Sequence, residues 1–131
     1  MSQYLILLAI IPLSCISLTK IYDAKDRWML IGLSIGLVIA PLSFGLLQFT
    51  YVPVIGKLVG YLGLLIHLTH GSIGYFCLAG SGIFEPGAIL AAPQLMLLAL
   101  VNGLIFASWY GLLGHFIDRK IEEESANVAW E

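Results

Sequence analysis

Charged residues along the chain are gathered into short groups that are separated by long uncharged stretches. No Asp, Glu, Lys or Arg occurs in residues 1–19, 28–56, 58–84 and 86–117. An α-helix needs roughly 20 apolar residues to cross the hydrocarbon core of a bilayer. Three of these stretches exceed that length and the first nearly reaches it. The pattern predicts an all-α integral membrane bundle of four transmembrane helices joined by short connections, at about residues 3–19, 28–50, 54–80 and 93–117.

Glycine and proline residues indicate where the third predicted helix ends and the fourth begins. Pro93 is a favourable first position for the fourth helix. The connector before it, residues 81–92, is unusually apolar, so we expect it to lie at the interface or to dip into the membrane under cover of protein. Residues 1–121 are therefore predicted to form a single transmembrane domain, followed by a short polar, acidic tail at residues 122–131.

The composition supports a lipid environment. The 131 residues are 60% hydrophobic and only 11% charged, whereas a soluble domain has about 25% charged residues. So few charges do not cover a globular surface, and we expect an integral, multi-pass membrane protein. The net charge of −2 and the lack of a basic patch give no electrostatic footprint for nucleic-acid binding.

Small residues recur at helical intervals in three of the predicted helices. The expected helix-packing positions are Gly32, Gly36, Ala40, Gly60, Gly63, Gly71, Gly74, Ala99, Gly103, Ala107 and Gly111. Small residues let helix backbones approach closely and gain dispersion contacts that lipid does not provide. We expect Gly36 and Gly103 to tolerate alanine but not leucine. The spacing leaves open whether these faces pack within one chain or between chains.

Two histidines, His67 and His70, lie deep within the third predicted helix. An ionisable residue inside the membrane indicates a functional site by default, so both are candidate cofactor-binding residues for haem or a quinone. The alternative is a neutral, structural imidazole that is hydrogen-bonded between helices. We expect His67 to face protein and not lipid, because unpaired ring nitrogens in hydrocarbon are costly.

A haem held by two histidines needs both at one depth on opposing helices. In an antiparallel pairing of the third and fourth predicted helices, His115 lies about 11 Å from the level of His67, so one chain lacks an evident bis-histidine site. No grouping of ligands indicates a metal site, and no cofactor is predicted, haem and quinone remaining alternatives. Asn102 is expected to hydrogen-bond between helices, and Asp118 is interpreted as part of a solvated helix end.

Four spans would place both termini and residues 51–57 on one side of the membrane. That side would hold Lys57, Arg119 and Lys120, and the other side Lys20, Lys25 and Arg27. Because the cations are evenly divided, the positive-inside rule gives no orientation for this arrangement.

The sequence contains no motif of a hydrolase, a metalloprotease or a nucleotide-binding enzyme, and we do not expect an enzyme. The leading interpretation is a non-catalytic accessory or structural subunit packed in a larger membrane protein complex. Its partners would be the lipid bilayer and other membrane subunits, or further copies of itself. One alternative is a small oligomeric channel or transporter. Another is a haem- or quinone-binding redox subunit that uses His67 and His70.

Overall fold

The computed structural model describes residues 24–47 and 55–128 continuously, together with positions 12, 13, 15–18, 20, 49 and 53. The two continuous segments contain the helices α1 (Arg27–Leu47), α2 (Ile55–His70), α3 (Ser72–Gly80) and α4 (Ala92–Val128). The described part of the chain is all-helical, with turns but no strand. Most of the predicted helix 3–19 lies outside the described residues, and the described positions between 12 and 20 are helical.

In the part of the chain that the structure describes, two helices are long and apolar enough to cross a membrane: α1, and α4 from Pro93 onward. The helices α2 and α3 reach the necessary length only together, and they are bent by 40° at the break between them. Large apolar side chains such as those of Leu58 and Leu104 are exposed on the outer faces. These are the features of a membrane protein.

Two of the helices have bounds that differ from those of the predicted membrane spans. The helix predicted at 54–80 is divided at Gly71, where glycine provides no side chain to stabilise a continuous helix. The helix predicted at 93–117 continues to Val128 and is 37 residues long, about 55 Å. Its extension includes most of the predicted acidic tail, because Glu and Ala are good helix formers that need no apolar surroundings.

The helices α1 and α4 pack antiparallel along most of α1. Their closest approaches are Gly114 against Trp28, Gly32 against Tyr110, and Gly36 against Phe106 and Ala107. At each of these glycines a Cβ atom would overlap backbone atoms of the other helix. The small-residue faces of the two helices therefore meet within one chain.

The interior proline of α1 has a matching feature on α4. Pro41 has no N–H, so the carbonyl of Leu37 lacks its ordinary helix donor. A Cβ atom on Gly103 would lie 3.0 Å from that carbonyl oxygen. Glycine at position 103 lets the α4 backbone cover a polar group that water does not reach inside a bilayer.

Asp118 of α4 caps the first turn of α1. Its carboxylate accepts the backbone N–H of Trp28 at 3.0 Å and that of Met29 at 2.9 Å. The first N–H groups of a helix have no partner inside it, and a negative charge there also interacts favourably with the helix dipole. The sequence position of Asp118 indicated a solvated helix end. In the structure its carboxylate instead caps α1.

An exposed ion pair lies at the same end of the α1–α4 pair. The Nζ atom of Lys25 is 2.9 Å from a carboxylate oxygen of Glu122, and this hydrogen bond and the charge of Glu122 raise the pKa of Lys25. Four successive spans would make α1 and α4 parallel and would separate these two residues by the membrane. The observed antiparallel packing differs from that prediction, because the lengths of uncharged stretches carry no information on helix direction.

The bent segment formed by α2 and α3, residues 55–80, is called the arch below. Its first part packs against the C-terminal end of α1, where a Cβ atom on Gly63 would lie 2.6 Å from the Cβ of Leu46. Its second part packs against the N-terminal third of α4, where Leu78 and Leu98 share a buried cluster. Both contacts lie at the end of the α1–α4 pair that is opposite the ion pair.

The apolar connector after the arch, residues 81–91, folds back onto the protein. Phe84 is 2% exposed and lies in the cluster shared by α3 and α4. Gly82 and Gly87 adopt φ values of 77° and 81°, which few residues other than glycine adopt without strain. The N–H of Gly87 donates to the Tyr75 hydroxyl at 2.9 Å. Phe84 is thus buried under cover of protein, whereas most of the connector is exposed, Ile89 almost completely.

Candidate functional site at the helix break

Asn102 of α4 bridges the break in the arch at Gly71. Its side chain is fully buried, its Nδ2 donates to the Gly71 carbonyl at 2.8 Å, and its Oδ1 accepts the N–H of Gly74 at 2.7 Å. The N–H of Gly74 lies in the first turn of α3 and has no partner within that helix. The amide thus satisfies backbone groups that the break leaves open, and the expectation of an interhelical hydrogen bond from Asn102 is confirmed.

The predicted packing positions lie in several different settings. Those at the contact between α1 and α4 are Gly32, Gly36, Gly103, Ala107 and Gly111. Those of the arch that lie against another helix are Gly63, against Leu46, and Gly74, against Asn102. Gly71 lies against the ring of His67 in its own segment, Ala40 and Gly60 are buried, and Ala99 is partly exposed.

His70 uses both ring nitrogens within the chain. Its Nδ1 lies 2.6 Å from Oγ1 of Thr69 and 3.2 Å from the carbonyl oxygen of Ile66. Because the carbonyl only accepts, Nδ1 carries the proton in the neutral ring. The Nε2 atom then accepts the hydroxyl proton of Tyr110 at 2.5 Å. This bond ties the end of α2 to α4 and leaves no nitrogen of His70 for a ligand.

His67 has a different hydrogen-bonding state. Its Nδ1 lies 3.3 Å from Oγ of Ser43, and its ring packs edge-on against Phe44 with 4.5 Å between centroids. The Ser43 hydroxyl donates its proton to the Ala40 carbonyl at 2.6 Å, so its oxygen accepts from Nδ1 of His67. In this neutral tautomer Nε2 is an unprotonated acceptor. Nε2 makes no hydrogen bond to any residue that the structure describes.

A groove of about 320 Å³ runs beside the break. It is lined by His67, Leu68, Gly71, Ser72, Tyr75 and Leu98. The Ser72 hydroxyl donates to the Leu68 carbonyl at 3.3 Å, so its oxygen, like Nε2 of His67, is an acceptor. The volume is at the lower end of the range of about 300–1,000 Å³ for small-molecule sites. The groove is therefore almost entirely apolar, and His67 and Ser72 are residues of its lining that carry an acceptor atom.

The third histidine lies at the opposite end of the α1–α4 pair. His115 lines a polar depression of about 310 Å³ together with Lys25, Asp26, Asp118, Arg119, Ile121 and Glu122. In this depression, Lys25 is paired with Glu122, and Asp118 caps α1. His115 is therefore not brought together with His67 or His70, and within the described residues no three His, Cys, Asp or Glu side chains are grouped to hold a metal ion.

The hydrogen-bond partners of the two histidines, Ser43 and Tyr110, were not identified from the sequence. Tyr110 lies in an aromatic-rich part of α4, and nothing in its spacing shows that its hydroxyl reaches His70. Ser43 lies two residues after a proline, where a hydroxyl is commonly assigned a purely local role. In both cases the partner lies 24 to 40 residues away in sequence.

Comparison of the chain with protein-family models, with curated proteins and with solved structures found no match. Its function is therefore argued from its own residues.

Proposed function

We propose that the chain is a multi-pass membrane protein in which α1 and α4 cross the bilayer and the arch enters and leaves from one side. Because α1 and α4 are antiparallel, the chain between them must begin and finish on the same side. The two ends of the arch lie against the C-terminal end of α1 and the N-terminal third of α4, and its break reaches as far as Tyr110 in the middle of α4. The position of the two ends supports this path. If the predicted helix 3–19 also crosses, three crossings replace the four predicted from the sequence.

This arrangement also gives an orientation. Lys25, Arg27, Arg119 and Lys120 lie at one end of the α1–α4 pair, whereas Lys57 lies in the first turn of the arch at the other end. Lys and Arg near the ends of membrane helices favour the cytoplasmic side. The end that carries the ion pair is therefore the cytoplasmic end, and the even division of cations expected for four spans no longer applies.

Within the membrane, we propose a non-catalytic accessory role as a rigid packing subunit of a larger assembly. The observation that carries this proposal is that polar side chains hydrogen-bond one helix to another. Asn102 holds the arch, the hydroxyl of Tyr110 binds His70, and Asp118 caps α1. Each of these groups fixes one helix to another, which makes the chain a stiff support with an apolar outer surface.

Site-specific photo-crosslinking in native membranes tests the accessory role. A photoreactive side chain at Leu104, on the exposed face of α4, should capture one defined partner polypeptide. The same group at Phe84, where a large aromatic side chain is already buried, serves as the control and should react only within the chain. Capture of lipid alone at Leu104 would contradict the proposal. Capture of further copies alone, together with ion conductance after reconstitution, would favour the channel alternative.

A further inference from the structure

The groove beside the arch has features that the packing role does not use. Its lining is largely apolar and includes His67 and Ser72, two residues that each carry an acceptor atom. We propose that the groove binds a membrane-soluble quinol, with a ring hydroxyl donating to Nε2 of His67. The inference rests on the membrane placement proposed above, but it does not depend on the partner assembly.

The depth of the groove suits a ligand that is dissolved in lipid. Asn102, which holds the break in the arch, is 16 residues from Asp118 at the cytoplasmic end of α4, about 24 Å along the helix. The hydrocarbon core is about 30 Å thick, so the groove lies inside the opposite half of the bilayer. A ligand with an apolar tail reaches it without passing through water.

The proton on His67 decides which form of the ligand is recognised. Nδ1 donates to Ser43, whose own proton is held by Ala40, and so Nε2 is an acceptor. A quinol has two hydroxyl donors, whereas the oxidised quinone has only carbonyl acceptors. To donate to a quinone, the ring would have to move its proton to Nε2, and the Ser43 hydroxyl would have to turn from the Ala40 carbonyl to donate to Nδ1. The groove is therefore selective for the reduced form.

His70 makes the assignment specific to His67. The ring of His70 is also near the break, but its Nε2 already accepts the proton of Tyr110 at 2.5 Å. A ligand would have to displace an internal hydrogen bond to reach it. Of the two candidate histidines, only His67 has a ring nitrogen that is open to a ligand among the described residues.

Binding to the purified full chain in phosphatidylcholine nanodiscs tests the proposal. The probes are a decyl-substituted benzoquinol kept reduced, its oxidised benzoquinone, and decylbenzene without hydroxyls. Excess uptake is measured by equilibrium dialysis against empty nanodiscs. We expect the quinol to bind about tenfold more tightly than either other probe, the effect of one hydrogen bond of typical strength.

Variants assign the selectivity to His67. The change His67→Phe keeps a ring against Phe44 but removes both nitrogens, and it should abolish the preference for quinol. The change His67→Gln keeps one donor and one acceptor and should retain most of it. The change Ser108→Ala, at an exposed hydroxyl bonded within α4, is the control and should have no effect.

Three results would overturn the proposal: equal binding of quinol and quinone by the unaltered chain, equal binding of decylbenzene, or an unchanged preference for quinol in His67→Phe. The first two need no variant and remain decisive if His67→Phe fails to fold. Quinol binding by a chain that captures no partner at Leu104 would support this inference while contradicting the accessory role.

Discussion

The α1–α4 pair and the arch are held in opposite ways. In the α1–α4 pair, glycines such as Gly32 and Gly36 bring two backbones into direct contact. In the arch, side-chain hydrogen bonds from Asn102 and His70 make the connection to α4. A continuous helix satisfies its own backbone in lipid, whereas a broken helix needs partners from elsewhere. Among the described residues, the buried polar side chains of Ser43 and Asn102 accordingly lie near the break, whereas that of Ser34 bonds within α1.

The α1–α4 pair and the arch should therefore respond differently to substitution. Backbone contacts in the α1–α4 pair depend on volume and lose many small dispersion interactions when a group is added. The contacts of the arch depend on donors and acceptors at fixed positions. The first region should respond to the size of a substituted side chain and the second to its hydrogen-bonding chemistry.

The largest effect is expected from Gly36→Ala. A Cβ atom there would overlap the Phe106 carbonyl and the Ala107 nitrogen, and neither backbone moves without separating the helices. We expect a loss of about 3 kcal/mol in the free energy of unfolding, as for severe overpacking, measured by denaturant titration in detergent. The expectation from sequence that Gly36 tolerates alanine is thereby replaced.

Gly103 and Gly80 provide matched controls. At Gly103 a Cβ atom would lie 3.0 Å from one carbonyl oxygen, and at Gly80 it would meet nothing within 4 Å. Alanine improves helix propensity by about 1 kcal/mol, so Gly103→Ala should be nearly neutral and Gly80→Ala neutral or stabilising. Equal stability of all three variants would show that α1 and α4 do not pack through Gly36.

Replacement of Asn102 by alanine tests the arch. It leaves the Gly71 carbonyl and the Gly74 N–H without their partner in an apolar interior, and an unsatisfied buried group costs about 1–3 kcal/mol. We expect a loss of about 2 kcal/mol and faster hydrogen exchange at Gly74 than in the unaltered chain. The variant Ser108→Ala removes an exposed hydroxyl from the same helix and should change neither quantity.

If Asn102→Ala leaves the exchange of the Gly74 N–H unchanged, the proposed bridge across the break is wrong. Faster hydrogen exchange only at the α1–α4 contacts would also contradict the account, because Asn102 would then stabilise that pair and not the arch.

A smaller effect is expected at the end of the α1–α4 pair that carries the ion pair. Asp118→Ala removes the acceptor of two N–H groups of α1, and loss of a helix cap costs about 1 kcal/mol. Asp118→Asn keeps one acceptor and should cost less. Thermal unfolding in detergent measures both, and equal stability of Asp118→Ala and the unaltered chain would argue against the cap.

The neighbouring ion pair is the control for Asp118. Lys25→Gln removes a fully exposed cation, and exposed pairs contribute little. Since Glu122 raises the pKa of Lys25, the contribution of the pair is complete below the ordinary pKa and is lost only as the pH rises through the raised value. Lys25→Gln should therefore leave stability at neutral pH unchanged.

The small-residue faces of α1 and α4 could be predicted from the sequence, but neither their pairing with each other nor its direction could. The spacing of Gly32, Gly36 and Ala40 identified one face of α1, and that of Gly103, Ala107 and Gly111 identified a face of α4. Small-residue spacing is the same in parallel and antiparallel pairs, so the direction needs the contacts at the ends. Asp118 makes one of these contacts at the helix ends. It could not be recognised from the sequence, because a carboxylate at a helix end is usually solvated.

The arch was harder to predict because its connections are distant in sequence. Gly71 is one of many glycines in the chain, and nothing local distinguishes it as a break. The residue that satisfies the break, Asn102, lies 31 residues away. The two histidines were identified as candidates, but the distinction between them depends on the hydroxyls of Ser43 and Tyr110, which only the packed structure brings to them.

The central claim is that α1 and α4 are antiparallel and that the arch does not cross the bilayer. Single cysteines at Ala24, Lys57 and Ala126, introduced after Cys15→Ser and Cys77→Ser, can be labelled with a membrane-impermeant maleimide in right-side-out and inverted vesicles. The account predicts that positions 24 and 126 react only in inverted vesicles and position 57 only in right-side-out vesicles. Labelling of positions 24 and 126 from opposite faces would contradict it and restore the four-span arrangement.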